Sequence, residues 1–434
     1  MLKKLVFLTV LLCNLTGQAS TSDSLGLGVR NLGLGGASGV TDGKAYAAKG
    51  NPATLVHYSK IQGSISYFNS NYGLKDSGTI SGQNKSKIAN DNYKLSEAKG
   101  GSNLHFGATF LLSKNLGLGV AGILPAESFA KVHAFTGNES TYLHFNERQQ
   151  NPEIYTAFGL QLPQNFSLGG GVLYTVKAEG ILQMGVSDTD AEARMLVELR
   201  PSYVFYGGVL WKKYFDNSGL LLGLNYKDEL AATTEINTDI RFDVGIGTIP
   251  FAASSQLVTF YDPAVWSLGS SYQTKKYNLY FGLDYSQWSK YQAPVINLSG
   301  KDLDVLNGGQ VTQDPITLED TYSFRMGLEW KKLASFKKNR LKALLGGEYH
   351  TSAVSKKPSS IAVLDSNRRV LSTGFEFVMP PLGDFIAYPL HIDIGAKWIN
   401  LEKRTLTVSS SEGEKSAKVG GNVYAVGGGL SVEF

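Results

Sequence analysis

The chain has 434 residues, of which 42% are hydrophobic and only 18% charged, with a formal net charge of +4; a soluble chain carries about a quarter charged residues. Its 49 Gly, 22 Tyr and 21 Phe exclude a disordered chain, and a mean hydropathy of -0.10 excludes a bundle of membrane helices. Such a weakly charged, Gly- and Tyr-rich chain reads as β structure, and its near-neutral balance leaves no footprint for nucleic acid.

The first segment sets the compartment. Met1 to Lys4 is basic, Leu5 to Leu12 is apolar, and Gly17-Gln-Ala19 places small residues around a cleavage site, so residues 1–19 read as a secretory signal peptide. The apolar run is too short to span a bilayer as a helix. Cys13, the single cysteine, lies inside it behind Leu12, which is not the small residue a lipoprotein site would carry. Cleavage removes Lys3 and Lys4, leaving a mature chain of 39 basic and 37 acidic residues, net +2 and free of cysteine. Residues 20–60 then run through Leu25-Gly-Leu-Gly-Val-Arg-Asn-Leu-Gly-Leu-Gly-Gly-Ala37 and Asn51-Pro52-Ala53. Glycine at this density suits irregular backbone, and Pro52 cannot donate to a sheet ladder, so this stretch is not a membrane strand.

From residue 61 onward one device repeats: an alternating segment, a short polar turn, a second alternating segment and a long polar stretch. Tyr277, Leu279, Phe281, Leu283 and Tyr285 share one face while Asn278, Asp284 and Ser286 take the other. Tyr322 to Trp330 and Leu390 to Trp398 alternate in the same way. The strand pairs fall near 103–112/116–124, 153–162/166–178, 201–211/219–228, 262–274/277–288, 321–330/340–350 and 368–379/388–400, with a first strand at 61–72 and a last at 421–434. The fold class predicted is all-β, a transmembrane antiparallel β-barrel of 14 strands over residues 61–434, with short turns on one side and long segments such as 73–101, 230–260 and 289–320 on the other. The last strand ends in Phe434, an aromatic terminal residue typical of barrels inserted by the outer-membrane machinery. Such a barrel is roughly 28 Å across, too wide for side chains alone to fill. Residues 20–60 are the candidate hatch, or plug, in its lumen; the alternative is a periplasmic linker.

Arg30-Asn-Leu-Gly-Leu-Gly-Gly-Ala37 followed by Asn51-Pro52-Ala53 resembles the N-terminal signature of the FadL family of long-chain fatty-acid and hydrocarbon transporters. Asp262-Pro-Ala-Val-Trp-Ser-Leu-Gly269, Leu283-Asp-Tyr-Ser-Gln-Trp-Ser-Lys-Tyr291, Tyr322-Ser-Phe-Arg-Met-Gly-Leu-Glu329 and Leu364-Asp-Ser-Asn-Arg-Arg-Val-Leu-Ser-Thr-Gly374 are similar to later landmarks of that family, in the same order. The resemblance implies a hatch-closed barrel of 14 strands in a Gram-negative outer membrane, reached by Sec export. It also implies a hydrophobic small-molecule ligand, a long-chain fatty acid or hydrocarbon, moving without a cofactor. Gating would involve Asn51, Pro52 and Ala53. Family members open the third strand sideways into the membrane; here Gly117, Gly119, Gly122 and Pro125 would form that lateral opening, or the glycines would merely make room for a bulky hatch side chain.

Other motifs are set aside on physical grounds. Gly117-Leu-Gly-Val-Ala-Gly122 spells GxGxxG but leads to Pro125 rather than a helix, so it is not a dinucleotide site. The six histidines have no metal-ligand spacing, and without a G-x-S-x-G the chain does not read as an enzyme. Asp284, Arg325, Glu329, Lys342, Glu348, Asp393 and Lys397 should face the lumen, because lipid-facing charge is costly. They would bind the hatch and one another, while Arg325 or Lys397 would suit a ligand carboxylate. Trp266, Trp288, Trp330 and Trp398 are expected in the interfacial girdles. Val244 to Phe251, an apolar run in a predicted external loop, is the candidate capture site, with Ile249 and Phe251 as its contacts. The predicted protein is a monomer among outer-membrane lipid. Its alternatives are a scaffold subunit of a secretion system and a general diffusion porin.

Overall fold

The computed structural model describes residues 25–58, 61–74, 78–81, 94–95, 100–126, 139–145, 152–186, 191–243, 248–291, 316–336, 339–358, 363–381, 387–410 and 413–434; some outer strand ends, and residues 232–243 and 248–260, are described by backbone alone. The predicted signal segment 1–19 and residues 244–247 of the predicted capture run lie outside them. Period-2 alternation produces β1 (Gln62–Leu74), β2 (Gly101–Ser113), β3 (Leu116–Pro125), β4 (Glu153–Gln161), β5 (Phe166–Val186), β6 (Ala191–Phe215) and β7 (Ser218–Lys227). It continues through β8 (Val265–Thr274), β9 (Tyr277–Ser286), β10 (Thr321–Phe336), β11 (Asn339–His350), β12 (Arg368–Met379), β13 (Leu390–Ser410) and β14 (Gly413–Glu433). Each strand pairs antiparallel with the next, and β14 returns to β1, closing a barrel of 14 strands. The seam runs from Gln62↔Glu433 to Leu74↔Gly421, with Tyr67 opposite Gly428 and Asn69 opposite Val426. Closure satisfies every ladder edge, which is what lets a sheet cross hydrocarbon.

Alternation alone cannot say which face is outside; the packing does. Phe281, Phe324, Met326, Trp330 and Ile394 are exposed on the outer wall, while Tyr280, Ser323, Glu329, Asp393 and Lys397 are buried on the inner one. Trp266, Trp330 and Trp398 are exposed on the outer face. Trp288 corrects the girdle expectation: it is 4% exposed and lies under an outer roof instead. That roof is a parallel three-stranded patch of Lys94–Leu95, Glu139–Tyr142 and Val363–Leu364. Below it the His144 ring meets Trp288 edge-on at 5.3 Å and His350 at 5.4 Å.

Two further differences concern the long-loop side. Strands β5, β6, β13 and β14 run well beyond their expected ends, each forming a tall hairpin, because strand pairing there does not need an apolar face. The stretch 230–260 is also not a loop: Leu230–Asp243 pairs with Thr248–Asp262, with a bulge at Ala232/Thr233. Ile249 and Phe251 therefore sit on a strand, opposite Phe242 and Ile240.

Candidate functional site

Residues 25–58 pack against the inner face of the barrel. They form short helices at Val29–Gly33 and Ala47–Gly50 and 3₁₀ turns at Lys44–Tyr46 and Pro52–His57. Pieces this short are not stable by propensity. Their stability comes from the wall, to which inward-facing glycines give close access. A Cβ at Gly169 of β5 would lie 2.3 Å from Pro52 C and Ala53 N, and one at Gly346 of β11 would lie 2.2 Å from Gly35 N. Gly35 itself has φ 65° with its backbone against Gly347, a conformation and a gap that both call for glycine.

The Asn51-Pro52-Ala53 segment is wedged into this contact. Asn51 is fully buried; its Nδ2 donates to Val40 O at 3.0 Å and to Val209 O of β6 at 3.1 Å, and its Oδ1 accepts from Ala53 N at 3.0 Å. One side chain thus ties two parts of the segment to the wall and caps the 3₁₀ turn after it. His57 ends that turn. Lys212 Nζ donates to its Nδ1 at 2.9 Å, which assigns the remaining N–H to Nε2, donating to Ser167 Oγ at 3.0 Å. Burial, with the Lys212 ammonium beside it, pushes His57 down to about 4.

On the other flank the anchor is ionic. Arg30 Nη2 donates to Asp42 Oδ2 at 2.8 Å, to Tyr280 OH at 2.8 Å and to Glu329 Oε2 at 2.7 Å. Asn278 Nδ2 also reaches Glu329, at 2.9 Å, and Lys342 Nζ bonds Glu376 Oε1 at 2.7 Å, with His391 on the same oxygen at 2.6 Å. Burial disfavours the Lys44 ammonium, but Glu376, Glu329 and Asp42 more than offset that and raise its pKa. No role for Arg30, Asp42, Lys44, Tyr280, Glu376 or His391 in this anchor follows from the sequence, since Arg30 and Glu329 lie 299 positions apart and nothing local links them.

Arg325 lies nearer the roof, ion-paired to Asp284 and 3.5 Å from Glu348. It is thus held by two carboxylates of the wall, and Lys397 Nζ is 3.7 Å from the same Glu348. Gly117 and Gly119 of β3 stand against the segment: Cβ atoms there would lie 2.6 Å from Leu55 O and 2.6 Å from Leu55 Cδ2. Gly122 faces outward and is covered by the Phe106 ring of β2. Strand β3 is paired to β2 as far as Pro125, but to β4 only as far as Ile123↔Glu153. Asn51, Pro52, Ala53, Gly117 and Gly119 are therefore brought together around Leu55 and the β3–β6 wall, whereas Arg325 and the 249–251 strand lie apart from them.

The lumen has two unlike flanks. Leu27, Leu55, Ala121, Ile123, Tyr155 and Tyr206 form an apolar cluster with Leu173 and Val204 along β3–β6. Strands β9–β13 carry the charged network. A cavity of about 250 Å³ lies between them, bordered by Leu27, Tyr155 and Tyr206 on one side and by Arg325, Glu348 and Lys397 on the other. No group of three or more His, Cys, Asp and Glu able to hold a metal is found among the described residues.

Residues 151–434 match the family described as outer membrane protein transport protein (OMPP1/FadL/TodX). The alkane uptake protein A of Marinobacter nauticus is 23% identical over 335 residues, covering 73% of this chain and 70% of that protein. A crystal structure of a Pseudomonas aeruginosa FadL homologue has the same fold, with a TM-score of 0.61 at 14% identity over 94% of this chain and 98% of that one. The toluene transporter TodX of Pseudomonas putida gives 0.54 at 14% identity, over 95% and 99%. With the closed barrel of 14 strands and a match across more than half its length, this chain belongs to the OMPP1/FadL/TodX family of outer-membrane transport proteins.

Proposed function

We propose that the protein is a passive channel, not an enzyme, that takes up apolar small molecules, with hydrocarbons of the alkane type as the first ligand class and long-chain fatty acids as the second. Residues 25–58 act as its hatch, and the ligand leaves sideways past the outer end of β3. The observation that carries this reading is the two-flanked lumen. An apolar solute entering below the roof finds the Leu27–Ile123–Tyr206 flank, whereas descent along β9–β13 would have to part buried ion pairs such as Arg30–Glu329 and Lys342–Glu376 with nothing to replace their hydrogen bonds. The relative named for alkane uptake favours the hydrocarbon class. Leu124 and Pro125 lie past the last β3–β4 pair, beside the apolar flank, where two strands part most readily.

The test measures hexadecane, toluene and oleate uptake by cells whose only such channel is this protein. A disulfide between Ala121→Cys and Tyr155→Cys, directly opposed on β3 and β4, should abolish hydrocarbon uptake relative to the same variant reduced, and reduction should restore it. Full uptake through a completely cross-linked barrel would overturn the lateral route. Accumulation of none of the three compounds by the wild type would overturn the ligand class.

A further inference from the structure

The short-turn side of the barrel carries an uneven distribution of charge that the transport reading leaves unused. The turn between β6 and β7 follows Lys212 and Lys213, the turn between β8 and β9 is Lys275-Lys276, and Lys331 and Lys332 lie in β10 beside it. These are turns and ends of neighbouring strands, spaced about 4.8 Å per strand, so the lysines form one arc along β6–β10. The arc is a single hydrogen-bonded unit at its centre: Lys331 N donates to Lys276 O at 3.0 Å and Lys331 Nζ to Thr274 O at 2.7 Å. Asp216 is the one carboxylate among the described turn residues of the arc.

The direction in which these cations point decides their partner. Lys213 continues the outward row of Tyr203, Phe205 and Val209, and Lys332 lies just past the outward row of Phe324, Met326 and Trp330. Lys213 thus belongs to the lipid-facing surface, and Lys332 is exposed at the bulge that follows Trp330. Lys213, Lys275, Lys276 and Lys332 are exposed, and none pairs with a carboxylate among the described residues. Phe215, Tyr277 and Trp330, at the same level, are exposed aromatics, and Lys213 Nζ lies 5.5 Å from the Phe215 ring centre. Aromatic rings beside unpaired lysines at the end of a lipid-facing wall match the headgroup level of a bilayer leaflet. In an outer-membrane barrel the short turns face the periplasm, so this leaflet is the phospholipid one.

We infer that the β6–β10 arc binds the phosphate groups of anionic phospholipids, holding an acidic patch of the periplasmic leaflet against this flank of the barrel. The ligand is a diacyl phospholipid with net negative charge, phosphatidylglycerol being the simplest case. Its phosphate is taken up by Lys213, Lys275, Lys276 and Lys332, and its chains lie along the outer rows of β6–β10. The centre of this arc, β8, lies five strands from β3 around the barrel and on the outer wall, so the inference does not rest on the lateral route.

The experiment reconstitutes the full-length protein in vesicles of equal phosphatidylethanolamine and phosphatidylglycerol, extracts it gently, and reads retained lipid by native mass spectrometry. One lysine near an anionic surface gives roughly a five-fold preference, so the wild type should retain phosphatidylglycerol at least five-fold over phosphatidylethanolamine. The variant with Lys213→Gln, Lys275→Gln, Lys276→Gln and Lys332→Gln should retain the two lipids equally. Arginine at the same four positions should restore the preference, and Lys114→Gln, on a turn outside the arc, should leave it intact. Heat-modifiable electrophoretic mobility verifies that each variant is a folded barrel. Equal retention by the wild type, or an unchanged preference in the glutamine variant, overturns the inference. So does a wild type that retains neither lipid but binds an acidic soluble protein through these lysines.

Discussion

Replacing Arg30 by Met tests whether charge holds the hatch. The side chain is 12% exposed and serves two carboxylates, Asp42 at 2.8 Å and Glu329 at 2.7 Å, as well as the Tyr280 hydroxyl. Removing one partner of a buried ion pair costs about 3–5 kcal/mol, because the carboxylates stay behind without their charge. Glu329 keeps Asn278 at 2.9 Å and Lys342 at 3.9 Å, which places the loss at the lower end of that range. About 3 kcal/mol corresponds to roughly a 150-fold shift toward states with the hatch undocked. Amide hydrogen exchange resolves where the change falls: amides of residues 29–57 should exchange about 150-fold faster while those of β9–β13 do not change. Adding Asp42→Asn and Glu329→Gln removes the stranded charges and should recover part of the protection. Hatch exchange within about threefold of wild type in Arg30→Met would refute the reasoning and leave the glycine contacts as the whole anchor. Equal acceleration over the entire barrel would refute it too, since the charge would then be holding the sheet and not the hatch.

Gly169→Ala should push the Pro52–Ala53 backbone off the wall at about 1–3 kcal/mol and give open-channel events in planar bilayers; Gly63→Ala, with nothing within 4 Å of its Cβ, should behave as wild type. Asn51→Ala forfeits two donations to carbonyls and one cap, about 2–4 kcal/mol. Asn51→Asp should be no better, because a carboxylate cannot donate to Val40 O or Val209 O; conductance and exchange of residues 51–57 measure both. His57 has its folded value lowered to about 4 from 6.5, so its contribution is complete above pH 6.5 and is lost as pH falls toward 4. Limited proteolysis of the hatch should rise across that window in wild type and lose this component in His57→Gln.

Much of the barrel was legible because each spanning strand must show one face to lipid and one to the lumen, and that requirement writes itself as alternation. The 277–286 strand was read to within two residues, and the polar faces of β10 and β13 pointed inward as expected. The extension of β13 past residue 400 and of β14 back to Gly413 was not legible, since above the membrane neither face must be apolar. Trp288 illustrates a different limit: an aromatic at a strand end is the same letter whether it anchors in headgroups or roofs a lumen. The glycines at 169 and 346 did hold a readable signal. Each falls on the inward phase of its strand, and an inward glycine in a sheet means that another backbone comes close. The ionic anchor had no such signal, because Arg30 meets Glu329 only after the sheet has closed.

The position where the hatch joins the barrel limits how far it can travel. Tyr58 is followed after three residues by Gln62, the first residue of the seam strand, and Ile61 is pinned by Phe434, whose N–H donates to Ile61 O at 2.7 Å. Four peptide steps reach at most about 14 Å, well short of the roughly 28 Å bore. The hatch is therefore leashed to the strand that closes the cylinder, and its leash is knotted to the strand beside it. Tyr58 thus stays within about 14 Å of the seam strand in any opening of the proposed hatch.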